Sequence, residues 1–175
     1  SRRRHTRFRN VTGVQTCALP IFLEQEMDLN FKNKVVMITG AGSGMGQRFA
    51  QDFAAEGATV VVNDVNAQGI AQTVELVTKA GGKAVAAQYD ITQLDAVTEL
   101  VKKIEAEQGS LDILVNNAAV LVKHALYLDT NPDDCDREIK VILYGTMNCT
   151  RAVLPGMVAR RYGKIVDRKS TRLNS

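Results

Sequence analysis

The chain has 175 residues, 45% of them hydrophobic, 23% charged and 5% aromatic, with 13 Gly and 3 Pro. This arithmetic sets a prior of one domain and excludes a disordered, collagen-like or fibrous chain. No run of about 18 apolar residues exists to span a membrane, 3 Cys imply no disulfide framework, and the net charge of +3 is unevenly spread.

Residues 1–20 carry Arg2, Arg3, Arg4, Arg7 and Arg9 and no acid, while residues 167–175 carry Arg168, Lys169 and Arg172 against Asp167. Residues 21–166 hold 14 bases and 18 acids, a net charge of −4, so the basic character belongs to the two ends. Read as chemistry, the first end suggests a nucleic-acid arm or an Arg-rich transit peptide. A third reading fits better. VTGVQTCALPI resembles a translated short-read sequencing adapter, and DRKSTRLNS at the far end resembles another. Segments 1–22 and 167–175 are therefore expected to be foreign, and residues 23–166 to hold the fold. With an acidic middle and no apolar span, neither nucleic acid nor membrane is expected as a partner, and the expected location is the reducing cytoplasm.

In chain order, residues 34–39 form an apolar, β-branched run that suits a strand buried on both faces. Residues 45–56 follow with helical spacing, ending at Gly57. A second strand over 58–62 runs out near Asp64, a helix covers 67–80, and a weaker strand covers 83–88. Residues 93–108 read as a helix with a charged outer face, and 111–115 as a fourth strand. One long helix is expected from about Pro132, a residue suited to a first turn, to Arg160, before a last short strand at 164–166. Strict alternation of strand and helix predicts an α/β fold, a Rossmann-type doubly wound parallel sheet of about five strands.

The first strand–helix turn reads Thr39-Gly40-Ala41-Gly42-Ser43-Gly44-Met45-Gly46. Glycines there let the backbone turn sharply and approach a diphosphate, and the helix start offers free amides and a positive dipole end. Asp64 stands 18 positions beyond Gly46, close to the interval of about 20 for an acid that holds the adenosine ribose. The candidate cofactor residues here are Gly40, Ser43, Gly44, Met45, Gly46, Asp64 and Val65. A carboxylate at Asp64 would repel a 2′-phosphate, and no Arg or Lys occupies 63–66 or the turn, so NAD is preferred over NADP.

These residues resemble the short-chain dehydrogenase/reductase family over about 32–166. The Thr39-Gly40-x-x-x-Gly44-x-Gly46 spacing is similar to that family's glycine turn. Asp90-Ile91 is similar to its adenine-contacting pair, and Asn116-Asn117-Ala118-Ala119 to its Asn-Asn-Ala-Gly, with Asn117, Ala118 and Ala119 lining the cofactor pocket. Arg151 to Met157 followed by Gly163 to Val166 is also family-like. The resemblance implies NAD-dependent hydride transfer between alcohol and ketone, a small-molecule substrate and a homo-oligomeric parent. Ala119 replaces a usual glycine, which is tolerable if its φ is negative. Ile142, in Ile142-Leu143-Tyr144-Gly145, replaces the asparagine that holds a proton-relay water. The family's catalytic Ser and Tyr-x-x-x-Lys would lie past the last strand and are missing, so no catalytic residue is expected in this chain. It reads as an inactive, C-terminally truncated dinucleotide-binding part of an oxidoreductase. The alternative is a non-catalytic nucleotide-binding module of the same fold.

Other clusters suggest less. His5 and His124 lack metal-ligand neighbours. Cys135 and Cys149 read as small helix residues. Asp133, Asp134 and Asp136 suit a helix start, and Arg160-Arg161 a helix end.

Overall fold

A computed structural model of the protein describes residues 29–120 and 130–168. The strands are β1 (Val35–Thr39), β2 (Thr59–Asp64), β3 (Lys83–Gln88), β4 (Ile113–Asn116) and β5 (Lys164–Asp167). The helices are α1 (Gly44–Ala55), α2 (Ala67–Lys79), α3 (Leu94–Gln108), α4 (Pro132–Ile139) and α5 (Thr146–Arg160). The strands form one sheet in the order β3-β2-β1-β4-β5, with every neighbouring pair parallel.

The pleat divides the core. On β1, Val35 and Met37 face a cluster built with Val97, Leu100, Val101 and Ile104 of α3 and Cys149, Val153 and Met157 of α5. Val36 and Ile38 face the opposite cluster, with Ala50 and Ala54 of α1 and Ile70 and Val77 of α2. Successive strand residues point to opposite sides, so a continuous apolar run is what a strand covered by helices on both faces requires. All five β1 residues and all four of β4 are buried, whereas β3 at one edge has a single buried residue, Ala87. The foot of β1 is fastened by Asp112, only 6% exposed, whose Oδ2 accepts from Val35 N at 3.0 Å and Ser110 Oγ at 3.1 Å.

Helix limits follow local chemistry. Asn66 caps α2 by accepting from the amides of Gln68 and Gly69 at 3.1 and 3.3 Å. Gly109 closes α3 with a left-handed φ of 83°. Asn131, followed by Pro132, caps α4. The single helix expected from Pro132 to Arg160 differs in one respect: Lys140–Gly145 is a π-helical turn between α4 and α5. Such turns widen the helix by one residue and shift its face, a change that apolar spacing does not reveal.

Segments 1–22 and 169–175, and His124 and Tyr127, lie outside the described residues. Asp167 and Arg168 lie inside, and β5 runs one residue further than the expected 164–166. Arg168 N donates to Asn116 O at 3.0 Å, and Asn116 Nδ2 donates to Asp167 Oδ1 at 2.7 Å across the same pair of strands. Ala119 is absent from the non-glycine residues with positive φ, which are Asn30, Asn33 and Arg161 among those described, so alanine fits that position without strain.

Candidate nucleotide-binding site

The carboxyl ends of β1, β2, β3 and β4 open together onto a cleft of about 560 Å³. Gly40, Asn63, Asp64, Val65, Tyr89, Asp90, Ile91, Thr92, Ala118, Ala119 and Val120 line it, and α4 and the π-turn close it with Asp133, Asp136, Arg137, Lys140 and Val141. In doubly wound sheets this end, where strand order reverses beside β1, is where ligands sit.

The turn after β1 is built on close approach. A β-carbon on Gly46 would overlap the Gly40 carbonyl and stand 2.6 Å from Asn117 Nδ2. Asn117 explains the crowding: its Nδ2 donates to Thr39 O at 2.9 Å and Gly40 O at 3.2 Å, fixing the turn to the end of β4. The Thr39 hydroxyl ties the same ends from the other side, accepting from Asn117 N and Ala118 N, each at 3.0 Å. Gly44 differs, with φ +56° and, among the described residues, nothing within 4 Å of where a β-carbon would stand. At the start of α1 the Ser43 hydroxyl makes no cap bond, whereas α2 and α4 start under asparagines. Among the described residues no side chain caps the first amides of α1, which suit an outside acceptor.

Asp64 stands at the end of β2, held by two backbone amides. Its Oδ2 accepts from Gly42 N at 2.9 Å and its Oδ1 from Asn66 N at 2.9 Å. Gly42 permits this approach, since a β-carbon there would come 2.8 Å from Asp64 Oδ2. At the end of β3, Asp90 Oδ1 accepts from Thr92 N and Thr92 Oγ1, both at 2.9 Å. Ile91, 7% exposed, supplies an apolar wall. On the far side, Lys140 Nζ pairs with Asp136 Oδ2 at 2.6 Å, and that hydrogen bond and charge raise the lysine pKa, with Asp133 adding to it.

The sequence-derived residues thus divide in three. Gly40, Asp64, Val65, Asp90, Ile91, Ala118 and Ala119 line the cleft. Gly46 and Asn117 are buried beneath it, and Asn117 Oδ1 is a buried acceptor with no partner among the described residues. Ser43, Gly44 and Met45 stand exposed on the rim and do not line this cleft. Ile142 does not line it either, and is 45% exposed. Sequence reasoning named Thr39 only as the first residue of the glycine turn, and missed Asn63 and the α4 wall. Asn63 is 1% exposed and ties β2 to β3 by donating to Ala87 O and Tyr89 O, each at 3.1 Å. A polar residue within an apolar strand is the signal that could have found it.

The family described as short chain dehydrogenase matches this chain over residues 34–172. The chain is 40% identical over 139 residues to (2S)-[(R)-hydroxy(phenyl)methyl]succinyl-CoA dehydrogenase subunit BbsD of Thauera aromatica, covering 79% of this chain and 56% of that protein. It is 35% identical, with the same coverages, to 3-oxoacyl-[acyl-carrier-protein] reductase FabG of Thermotoga maritima. Among solved structures, NAD+-bound xylitol dehydrogenase matches with a TM-score of 0.76 at 30% identity, covering 79% of this chain and 53% of that one. A metagenomic short-chain oxidoreductase in complex with NADP matches with a TM-score of 0.73 at 29% identity, covering 78% and 62%. The chain therefore spans about half the length of the curated relatives it matches.

Proposed function

The chain belongs to the short-chain dehydrogenase family, and from that premise we propose that it is the dinucleotide-binding part of a longer NAD-dependent oxidoreductase. The observation that carries this reading is the Asp64 carboxylate, aimed by the amides of Gly42 and Asn66 at the mouth of the cleft. A carboxylate fixed by two donors keeps lone pairs for the paired hydroxyls of a ribose and repels a phosphate in their place. The glycine turn supports a diphosphate, since the start of α1 carries no side-chain cap from Ser43 and its backbone amides suit an anion. When bound, the nicotinamide ring supplies or accepts the hydride. Ser43, Gly44, Met45 and Gly46 hold the diphosphate, Asp64 and Val65 the adenosine ribose, and Asp90 and Ile91 the adenine. Asn117, Ala118 and Ala119 support the wall between them.

The sequence holds no Tyr-x-x-x-Lys pair, and Ile142 offers no polar group to a relay water. We therefore assign these 175 residues binding without turnover, and the reduction of a small carbonyl substrate to the whole protein. Ile142 also favours a second reading, a parent that binds nucleotide without catalysis. A Ser and a Tyr-x-x-x-Lys in the parent's sequence after the fifth strand would count against that second reading. The exposed apolar side of α5, with Met147 at 56% and Val158 at 70% exposure, supports a homo-oligomeric parent, and the family suits a cytoplasmic setting.

The test is titration of the chain with NADH and NADPH by nicotinamide fluorescence, together with an assay for alcohol oxidation. Asp64→Ala is expected to weaken NADH binding about tenfold and NADPH binding less than about threefold. Equal losses would overturn the NAD preference. Turnover by the unaltered chain would overturn the assignment of binding alone.

A further inference from the structure

Asn148 belongs to neither the glycine turn nor the acids of the cleft, yet it reaches the cleft from behind. It lies half-buried on α5, and its Nδ2 donates to two successive carbonyls, Ile91 O at 3.0 Å and Thr92 O at 3.1 Å. The same turn carries Asp90, whose Oδ1 is held by the amide and the hydroxyl of Thr92. Asn148, Thr92 and Asp90 are therefore linked hydrogen bond to hydrogen bond. One helical turn earlier, Gly145 rests on Ile91 so closely that a β-carbon would overlap Ile91 Cδ1. The long helix thus grips this turn twice, by an apolar contact at Gly145 and a polar one at Asn148.

We propose that Asn148 is a positioning residue for the adenine subsite, acting through the carbonyls of Ile91 and Thr92 to set where Asp90 stands. This rests on the dinucleotide reading above. With both Thr92 bonds on Oδ1, Asp90 Oδ2 is the atom left to accept the 6-amino group of adenine. Hypoxanthine carries an oxygen at that position, which a carboxylate repels rather than binds. Hydrogen-bond strength falls steeply with misalignment, so a loosened turn loses the distinction between the two bases before it loses the diphosphate.

The experiment titrates the full chain with NADH and with reduced nicotinamide hypoxanthine dinucleotide. The unaltered chain is expected to prefer adenine about tenfold. Asn148→Ala is expected to cut that preference to about threefold or less, with hypoxanthine dinucleotide binding within about twofold of the unaltered chain. Asn148→Ser, which keeps one donor, is expected to fall between them, and it carries the test if the alanine variant shows no cooperative melting. Losses equal for both dinucleotides would assign Asn148 to holding the fold alone and overturn the proposal. An unchanged preference would overturn it as well. An unaltered chain that binds both dinucleotides equally would overturn the proposal and leave the dinucleotide reading standing. One that binds neither would overturn both.

Discussion

Gly44 and Gly46, two residues apart, are glycines for different reasons. Gly46 has no room: an alanine there would strike the Gly40 carbonyl and Asn117 Nδ2. Gly44 has room but a φ of +56°, which costs a residue with a β-carbon about 1 kcal/mol. Gly46→Ala is therefore expected to lose about 1–3 kcal/mol of stability and more than about tenfold in NADH affinity. Gly44→Ala is expected to lose about 1 kcal/mol and keep the turn intact. Urea unfolding beside NADH titration separates the two, and equal losses of affinity would contradict the crowding argument. Cys149 illustrates burial acting on chemistry. It is fully buried, and desolvation pushes its thiol pKa from 9.0 up to about 12. Above about pH 9 the unfolded chain sheds this proton while the folded chain keeps it, so this residue's contribution to stability falls as pH rises. The denaturation midpoint of the unaltered chain is expected to drop further between about pH 8 and about pH 10.5 than that of Cys149→Ala. Parallel drops would remove Cys149 as a source.

The helices were legible in the sequence where apolar spacing and end residues agree. α2 and α3 differ from their expected limits by a residue at one end, since caps and stops are local chemistry. The π-turn at Lys140–Gly145 was not legible, because it changes which carbonyl each amide meets and not which residues are apolar. Nor was the grip of α5 on its neighbours, which depends on partners far along the chain. Arg160 is the clearest instance. Its Nη1 pairs with Glu105 Oε1 at 2.8 Å, with both side chains about two-thirds buried, and its Nη2 donates to Leu111 O at 2.9 Å. Arg160→Ala is expected to destabilise the chain by about 1–2 kcal/mol, since it removes a charged donor from two acceptors. Lys79→Ala, which breaks the solvent-exposed pair with Glu75, is expected to leave the thermal midpoint nearly unchanged. Equal shifts in a melting experiment would show that the bond across α3 and α5 carries no more than a surface pair.

The whole molecule is a sheet with its apolar strands in the middle and two unlike edges. β3 ends one side, most of its residues exposed or half-exposed. β5 ends the other, with Val166 50% exposed and no strand beyond it among the described residues. Unpaired edges of this kind recruit further strands. The chain is expected to self-associate with rising concentration in light-scattering measurements, and Val166→Lys to reduce that association by placing a charge on the edge. An unaffected association would move the contact elsewhere, to the outer side of α5. Fold class and sheet content could be read from the alternation of strand and helix. The placing of the cleft between β2, β3 and the distant α4 could not, because that wall forms only when the chain beyond β4 folds back over the carboxyl ends of the strands.

The strand order also fixes a sequence in time. β1 lies at the centre of the sheet, with β2 on one side and β4 on the other, and Val35 meets Asp112 across 77 residues of chain. As the polypeptide leaves the ribosome, β1, β2 and β3 can pair among themselves while β4 is still unmade. Throughout that interval the strand destined to be the most deeply enclosed has one bare side. The future centre of the protein is, for a while, its margin, and the glycine turn stays unanchored until Asn117 is made.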